Sequence, residues 1–247
     1  TVFKNKKIQE KGSLACIGSI GNEYCQAGHW FDLKVNKIYD MPGKVMGLQS
    51  FGNLDQEFLD FLKKFDFYNI KNIFDVNYYS DKPDKKLDWL RTIHLYISNL
   101  LIDFLSKHFS KDEVFCYTGG VALNVCWNTE IRKIFKNVII PPHTGDEGLS
   151  LGALEYLRIK HNLSHFKIDN FPYCQSDSSP NNHPSNKLID KVSNLLKKQK
   201  IVGWYQGHGE IGPRALGNRS ILADPRDYEM KKRVNDIKQR EYFRPFG

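Results

Sequence analysis

Strand and helix patterns alternate in the middle of the 247-residue chain, and this alternation limits the fold more than any other sequence feature. A short apolar run at residues 114–117 predicts a β-strand that ends at Gly119-Gly120, and residues 122–135 predict the helix after it. A second apolar run at 137–140 and a helical pattern at 149–161 repeat this order. Such alternation is typical of layered α/β proteins, so we predict an α/β fold.

A polar segment, residues 163–186, separates two parts of the chain. It is rich in Ser, Asn, Asp and Pro, and we predict a linker there. Before it, apolar residues recur at helical spacing over residues 87–109, which predicts a helix roughly 30 Å long. After it, an amphipathic helix is predicted at 187–198 and a strand at 201–205. We therefore expect one domain on each side of this segment.

Composition limits the functions that this chain can have. Its five cysteines are an odd number at irregular spacing with no CxxC pair, which argues against a disulfide framework and a structural zinc site. We therefore expect a reducing, cytoplasmic location. No apolar run approaches the roughly 18 residues that span a bilayer, so we expect no membrane partner. The formal net charge of +8 favours anionic ligands, whether phosphorylated small molecules or nucleic acid.

Two loops in the alternating region hold candidate binding groups. Gly119-Gly120 lies between a strand and a helix, where backbone amides and the positive helix N-terminus suit a phosphate or an adenylate. A tight turn without a ligand is the alternative, and the glycine pair alone favours it. The loop at residues 145–148 (GDEG) places the carboxylate of Asp146 before a helix. Such a carboxylate caps the helix or contributes to a metal site, and capping is the commoner role.

Two arginine-containing segments lie towards the end of the chain, at residues 210–220 (EIGPRALGNRS) and 238–246 (KQREYFRPF). Glycine and proline restrict the backbone there, while guanidinium groups present paired donors to phosphate oxygens. Both segments therefore suit a multiply charged anion. The alternative is that these arginines form loose surface ion pairs with Asp224, Asp227 and Glu241.

A GxGxxG pattern at residues 207–212 follows a predicted strand, as in a dinucleotide-binding site. Pro213 and Gly217 leave no room for the long helix that such a site requires. We therefore reject a Rossmann site here.

Taken together, the motifs resemble those of the carbamoyltransferase family, of the nodulation protein U and antibiotic O-carbamoyltransferase type. They occur in family order over most of the chain. The matching segments are GKVMGL at 43–48, TGGVALN at 118–124, GDEGLSLGA at 145–153, GPRALGNRS at 212–220, ADPR at 223–226 and KQREYFRPF at 238–246.

The resemblance implies a fold and an activity. Residues 1–175 would form the C-terminal part of an actin-like ATPase (ribonuclease H-like) domain, and residues 183–247 would begin a YrdC-like α+β domain. The implied reaction is ATP-dependent transfer of a carbamoyl group from carbamoyl phosphate, through carbamoyl-adenylate, to an acceptor hydroxyl of a sugar or natural product. ATP would be a co-substrate and a divalent metal, Fe or Mg, would assist. The implied partners are these small molecules and not nucleic acid, with a homodimer left open.

The resemblance also implies roles for individual residues. Gly119, Gly120 and Asn124 would bind the nucleotide or carbamoyl-adenylate, and Asp146 would bind the metal. No catalytic residue is implied. Clustered cations would hold two phosphorylated substrates that repel each other, and a Lewis acid would polarise the transferred carbonyl. The residues implied to bind phosphate and carbamoyl phosphate are Arg214, Asn218, Arg219, Lys238, Arg240 and Arg244.

The chain also departs from the family pattern. The family's HxxxH metal pair would precede residue 1, and much of the YrdC-like domain would follow Gly247, so we expect a segment of a longer protein that is inactive alone. Residues 49–51 read Gln-Ser-Phe where the family usually has Ala-Pro-Tyr. Two alternatives stay open: an actin-like ATPase or kinase, which leaves residues 212–220 unexplained, and a basic nucleic-acid-binding module, which lacks a stacking motif.

Overall fold

The computed structural model describes residues 2–4, 7–9, 20–29, 40–64, 83–164, 169–175 and 184–246. The chain divides into two compact units, Thr1–Asp146 and Glu147–Gly247. The described α-helices are α1 (Ile20–His29), α2 (Met41–Leu48), α3 (Gln56–Lys64), α4 (Lys86–His108), α5 (Val125–Ile134), α6 (Leu149–Lys160), α7 (Asn186–Lys197) and α8 (Met230–Ile237). The described β-strands are β1 (Val2–Lys4), β2 (Lys7–Gln9), β3 (Phe115–Cys116), β4 (Val138–Ile139), β5 (Tyr173–Gln175), β6 (Val202–Tyr205), β7 (Gly209–Glu210) and β8 (Arg219–Leu222).

Helix α4 is central to the core of the first unit, and it confirms the helix predicted at residues 87–109. Helices α1, α2, α3 and α5 all contact it. Its buried aliphatic side chains recur every three or four residues, which places them along one stripe of the helix. They are Leu90, Ile93, Ile97, Leu101 and Leu105.

Strands β3 and β4 form a parallel pair, in which Phe115 lies opposite Val138. Helix α5 connects them, so the predicted β–α–β order is confirmed and the fold is mixed α/β. The single helix predicted at 122–135 is wrong at its start. Residues Gly120–Leu123 form a 3-10 helix, and Asn124 is extended because its side chain caps α5.

The second unit contains two antiparallel strand pairs, β5 with β7 and β6 with β8. The prediction that residues 163–186 form only a linker is wrong at Tyr173–Gln175, because β5 gains backbone hydrogen bonds from β7. Within the predicted linker, residues 165–168 and 176–183 lie outside the described residues. Helix α7 contacts β6, and the Ser185 side chain caps α7 by accepting the N–H of Leu188.

The segment with the GxGxxG pattern contains β7 and then runs through a loop to β8. In this described stretch the residues after the pattern form a loop and then β8, not a helix. Among the described helices, none combines the length and the apolar character needed to cross a membrane. The domain limits at 1–175 and 183–247 stay predictions.

Candidate functional site

Gly119 forms a sharp junction between β3 and the 3-10 helix Gly120–Leu123. Its φ of +96° lies in the region that favours glycine, and its N–H donates to the carbonyl of Thr144 at 2.7 Å. Apart from the adjacent residues of the chain, no described atom lies within 4 Å of the position that a Cβ would take on Gly119 or Gly120. The junction therefore exposes backbone to open space, as a close-binding ligand requires.

Asn124 is buried at the end of this junction. Its Oδ1 accepts the backbone N–H groups of Cys126 and Trp127, both at 3.2 Å. The carbonyl oxygen of the side chain is thus occupied by capping α5. If Asn124 also binds a ligand as predicted, its amide nitrogen is the group that donates.

Besides Asn124 Nδ2, three further buried polar atoms near the junction have no hydrogen-bond partner among the described residues: the Tyr117 hydroxyl, Asn128 Oδ1 and Thr144 Oγ1. Tyr117 and Thr144 lie in the two loops joined by the Gly119–Thr144 hydrogen bond, and Asn128 lies one turn beyond Asn124 on the same face of α5. Leaving such a group unsatisfied costs about 1–3 kcal/mol. A bound polar molecule would offset this cost, so these atoms mark a candidate binding site.

The sequence motifs do not indicate these three residues. One local signal was present for Asn128, since it follows Asn124 by one helical turn. No such signal exists for Thr144, because its position depends on the contact with Gly119.

A buried cluster of Tyr24, His94 and Trp127 supports the start of α5. Tyr24 and His94 share a 2.8 Å hydrogen bond through Nδ1, and the Trp127 ring N–H donates to the His94 carbonyl at 3.2 Å. Burial lowers the pKa of His94 to about 3, with a smaller contribution from Arg91. His94 is therefore neutral at ordinary pH and acts as part of the core.

Asp146 is exposed at the first position of a 3-10 helix, Asp146–Gly148, that leads into α6. In the part of the chain that the structure describes, no three His, Cys, Asp or Glu side chains lie close enough together to hold a metal ion. Among the described residues, Asp146 therefore has no set of companion ligands for the predicted metal. The assignment of Asp146 stays a prediction.

In the second unit, the loop between β7 and β8 holds Arg214 and Asn218. The Glu210 carboxylate accepts the backbone N–H groups of Leu216 at 2.9 Å and Asn218 at 2.6 Å. The Asn218 side chain donates to the carbonyl of His208 at 3.0 Å. The loop is thus organised by its own polar groups, with Arg214 exposed on it.

Arg219 follows this loop at the start of β8. Its guanidinium carbon lies 3.6 Å from the centroid of the Tyr205 ring, and its Nη1 donates to the carbonyl of Gln206 at 2.7 Å. These contacts hold the guanidinium beside β6.

A cavity of about 560 Å³ lies between α7 and β6. Most of its lining is apolar, with Lys191 as the charged side chain. The lining residues are Pro184, Leu188, Lys191, Val192, Leu195, Val202, Gly203, Trp204, Tyr205, Gln206 and Gly207.

Asn235 fixes the segment that carries Arg240 and Arg244. It is buried in α8, where its Oδ1 accepts the Nε–H of Arg240 at 2.6 Å. Its amide donates to the carbonyls of Tyr242 at 3.1 Å and Arg244 at 3.3 Å. One side chain therefore sets the path of this part of the chain.

The structure brings Arg240 and Arg244 together. Burial and the positive charge of Arg244 lower the pKa of Arg240, while Glu241 raises it. Nη1 of Arg244 is buried and has no hydrogen-bond partner among the described residues. Lys238, in contrast, is exposed at the end of α8.

The alternative that the arginines of residues 210–220 and 238–246 form ion pairs with Asp224 is wrong. The Asp224 carboxylate binds Arg226, which lies outside both segments.

The two units thus define a mixed α/β protein with polar groups gathered on loops between its strands and helices. A family model described as Carbamoyltransferase N-terminus matches residues 2–154, and one described as Carbamoyltransferase C-terminus matches residues 193–247. The chain therefore belongs to the carbamoyltransferase family, as the sequence motifs predicted. Membership of this family supports a transferase.

Curated relatives agree with this assignment. Nodulation protein U from Sinorhizobium fredii is 34% identical over 170 residues, which cover 64% of the chain and 30% of that protein. Two uncharacterized proteins from Methanocaldococcus jannaschii are 29% identical over 261 residues (89% of the chain, 43% of the relative) and 30% identical over 271 residues (94% and 50%). The chain spans half or less of the length of these relatives.

Proposed function

We propose that this protein transfers a carbamoyl group from carbamoyl phosphate to an acceptor hydroxyl, with ATP as co-substrate and carbamoyl-adenylate as the intermediate. Membership of the carbamoyltransferase family supports the transferred group. In this proposal residues 1–175 belong to an actin-like ATPase domain and residues 183–247 to a YrdC-like domain. The second domain activates the carbamoyl group and the first transfers it.

The pair Arg240 and Arg244 is the observation that carries the proposal. Two guanidinium groups repel each other, yet Asn235 holds their segment in place, and Nη1 of Arg244 is buried with no partner among the described residues. An anion with several oxygens would offset the repulsion between the two charges and would give Nη1 of Arg244 an acceptor, because guanidinium groups bind phosphate through paired hydrogen bonds. ATP and carbamoyl phosphate both present such oxygens.

The loop with Arg214, Asn218 and Arg219 extends this proposed anion site. Glu210 fixes the loop backbone, and the Tyr205 ring and the Gln206 carbonyl hold the Arg219 guanidinium. Such preorganised donors stabilise developing negative charge without reorganising during the reaction.

The junction in the first unit suits the transfer step. Gly119 and Gly120 leave space beside the backbone, and the Asn124 amide and the unpartnered atoms of Tyr117, Asn128 and Thr144 offer hydrogen bonds to a polar substrate. Burial strengthens such hydrogen bonds, because the local dielectric is low.

Exchange of labelled pyrophosphate into ATP tests the proposal, since forming an adenylate releases pyrophosphate. We expect the full-length protein, rather than this segment alone, to catalyse an exchange that depends on carbamoyl phosphate. Arg244→Met should lower its rate by about tenfold or more, as expected when a charge-assisted hydrogen bond is lost. Lys231→Met, which removes an exposed charge from α8, should leave the rate near that of the wild type.

Absence of any exchange that depends on carbamoyl phosphate would overturn the proposal. Phosphorylation of an acceptor from ATP alone would instead indicate a kinase. A gel shift with nucleic acid that weakens steeply with salt would favour the basic binding module.

A further inference from the structure

One hydrogen bond fixes the orientation of the Asn128 side chain. Its Nδ2 donates to the carbonyl of Ala122 at 2.7 Å. Exchanging the two ends of the amide would place Oδ1 against that carbonyl, and two acceptors at this distance repel each other. The amide nitrogen therefore faces Ala122, and Oδ1 is left on the other side.

Asn128 Oδ1 is a buried acceptor with no donor among the described residues. The oxygens of an ionised phosphate only accept hydrogen bonds, so a phosphate group beside Oδ1 would be repelled. An N–H or O–H group would satisfy it. Asn128 therefore selects for a part of the ligand other than its phosphate.

Thr144 and Tyr117 complement this acceptor. Thr144 is 5% exposed and its hydroxyl has no partner in the described chain. Burial raises the pKa of Tyr117, so its hydroxyl keeps its proton and is able to donate. Two hydroxyl donors and one amide acceptor match a ligand group that has an amino group next to an acceptor atom.

We propose that Asn128 is a specificity-determining residue, whose Oδ1 accepts a hydrogen bond from an amino group at the uncharged end of the substrate. This inference rests on the proposed function. Two sources share the required chemistry: the NH2 of the carbamoyl group, which lies next to a carbonyl oxygen, and the exocyclic amino group of adenine, which lies next to a ring nitrogen. A site built around a buried acceptor discriminates against an analogue that lacks the donor, because the acceptor then stays unsatisfied.

Two pairs of probes distinguish the sources. Carbamoyl phosphate is compared with acetyl phosphate, in which a methyl group replaces the amino group. AMP is compared with IMP, in which a carbonyl oxygen replaces it. Binding is measured by calorimetry on the whole chain in the Arg244→Met background, so that the proposed anion site of the second unit contributes little.

In one pair, we expect this chain to bind the ligand that has the amino group about tenfold or more tightly than the ligand that lacks it. The reason is that an unsatisfied buried acceptor costs about 1–3 kcal/mol. The pair that shows the preference identifies the source. Asn128→Ala should bring the two affinities to within about twofold of each other, because the acceptor is gone.

Asn128→Asp is the matched variant, because it keeps an acceptor oxygen and loses the donor to Ala122. It should be less stable than its parent, yet keep the preference for the amino ligand. A purely structural role would make the Ala and Asp variants behave alike. Thr129→Ala, an exposed change on the same helix, should leave the preference unaltered.

Two results would overturn the inference. One is equal affinity for both ligands of each pair when Asn128 is intact, and the other is an unchanged preference in Asn128→Ala. Neither result bears on the pyrophosphate exchange, so failure of this inference and failure of the proposed function are distinguishable.

Discussion

Oε1 of Glu210 accepts the backbone N–H of Asn218 at 2.6 Å, across the loop between β7 and β8. The same oxygen accepts the N–H of Leu216 at 2.9 Å. One carboxylate therefore holds the loop together. It does so by accepting two backbone hydrogen bonds, not by forming an ion pair. Glu210 lies inside a motif that sequence analysis assigned to phosphate binding, but its own role became visible only in the structure.

Glu210→Gln and Glu210→Ala separate the acceptor from the charge. Glutamine keeps Oε1 and should leave the loop intact, whereas alanine leaves two amides without this acceptor. We expect alanine to raise the KM for carbamoyl phosphate in pyrophosphate exchange by about tenfold, and to lower the free energy of unfolding by about 1 kcal/mol. Equal effects of the two substitutions would show that the charge, not the acceptor, matters.

Gly119 and Gly120 provide a second matched pair. A Cβ on either would meet open space, but Gly119 has a φ of +96° and Gly120 begins a 3-10 helix. Gly119→Ala should therefore lower the free energy of unfolding by about 1–3 kcal/mol through backbone strain. Gly120→Ala should be neutral or slightly stabilising. Urea denaturation of both variants tests this, and equal losses would contradict it.

Asn235 is expected to control the position of Arg240 and Arg244. Asn235→Ala removes three hydrogen bonds to this segment and should lower the free energy of unfolding by about 2 kcal/mol. Cleavage within residues 240–245 by limited proteolysis should become faster. Asp236→Ala, an exposed neighbouring change, is the control. Unchanged proteolysis in Asn235→Ala would show that other contacts hold the segment.

Local patterns predicted the elements that depend on local sequence. Helix α4 follows from apolar spacing, and β3, α5 and β4 follow from alternation. Strand β5 was missed because Tyr173–Gln175 lies in a polar, proline-containing context and becomes a strand only by pairing with β7. There the pairing with β7, which is distant in sequence, determines the conformation more than local propensity does.

The candidate site shows the same division. Gly119, Gly120 and Asn124 were readable as a motif, and the structure places them at one junction. The acceptor of Asn128 could not be predicted from the sequence, because the orientation of its side-chain amide depends on the hydrogen bond to the Ala122 carbonyl. The burial of Thr144 likewise depends on the loop that contacts Gly119.

His94 makes the stability of the first unit depend on pH. Burial, and to a lesser extent Arg91, lowers its pKa to about 3 from the ordinary value of 6.5. Between these two values the unfolded chain binds a proton that the folded chain does not. The contribution of neutral His94 to the free energy of unfolding is therefore complete above pH 6.5, and it is lost as the pH falls towards 3.

The variant His94→Asn removes this titration while keeping a polar atom near the position of Nδ1. One unit of pKa corresponds to about 1.4 kcal/mol, so the wild type should lose about 2 kcal/mol of unfolding free energy between pH 7 and pH 5 because of His94 alone. His94→Asn should be less stable at pH 7, since the ring packs against Trp127, but should lose about 2 kcal/mol less over this interval. His108→Asn, the same change at an exposed position of α4, is the control variant. Urea denaturation at both pH values gives the comparison, and equal slopes for wild type and His94→Asn would exclude His94 as the source.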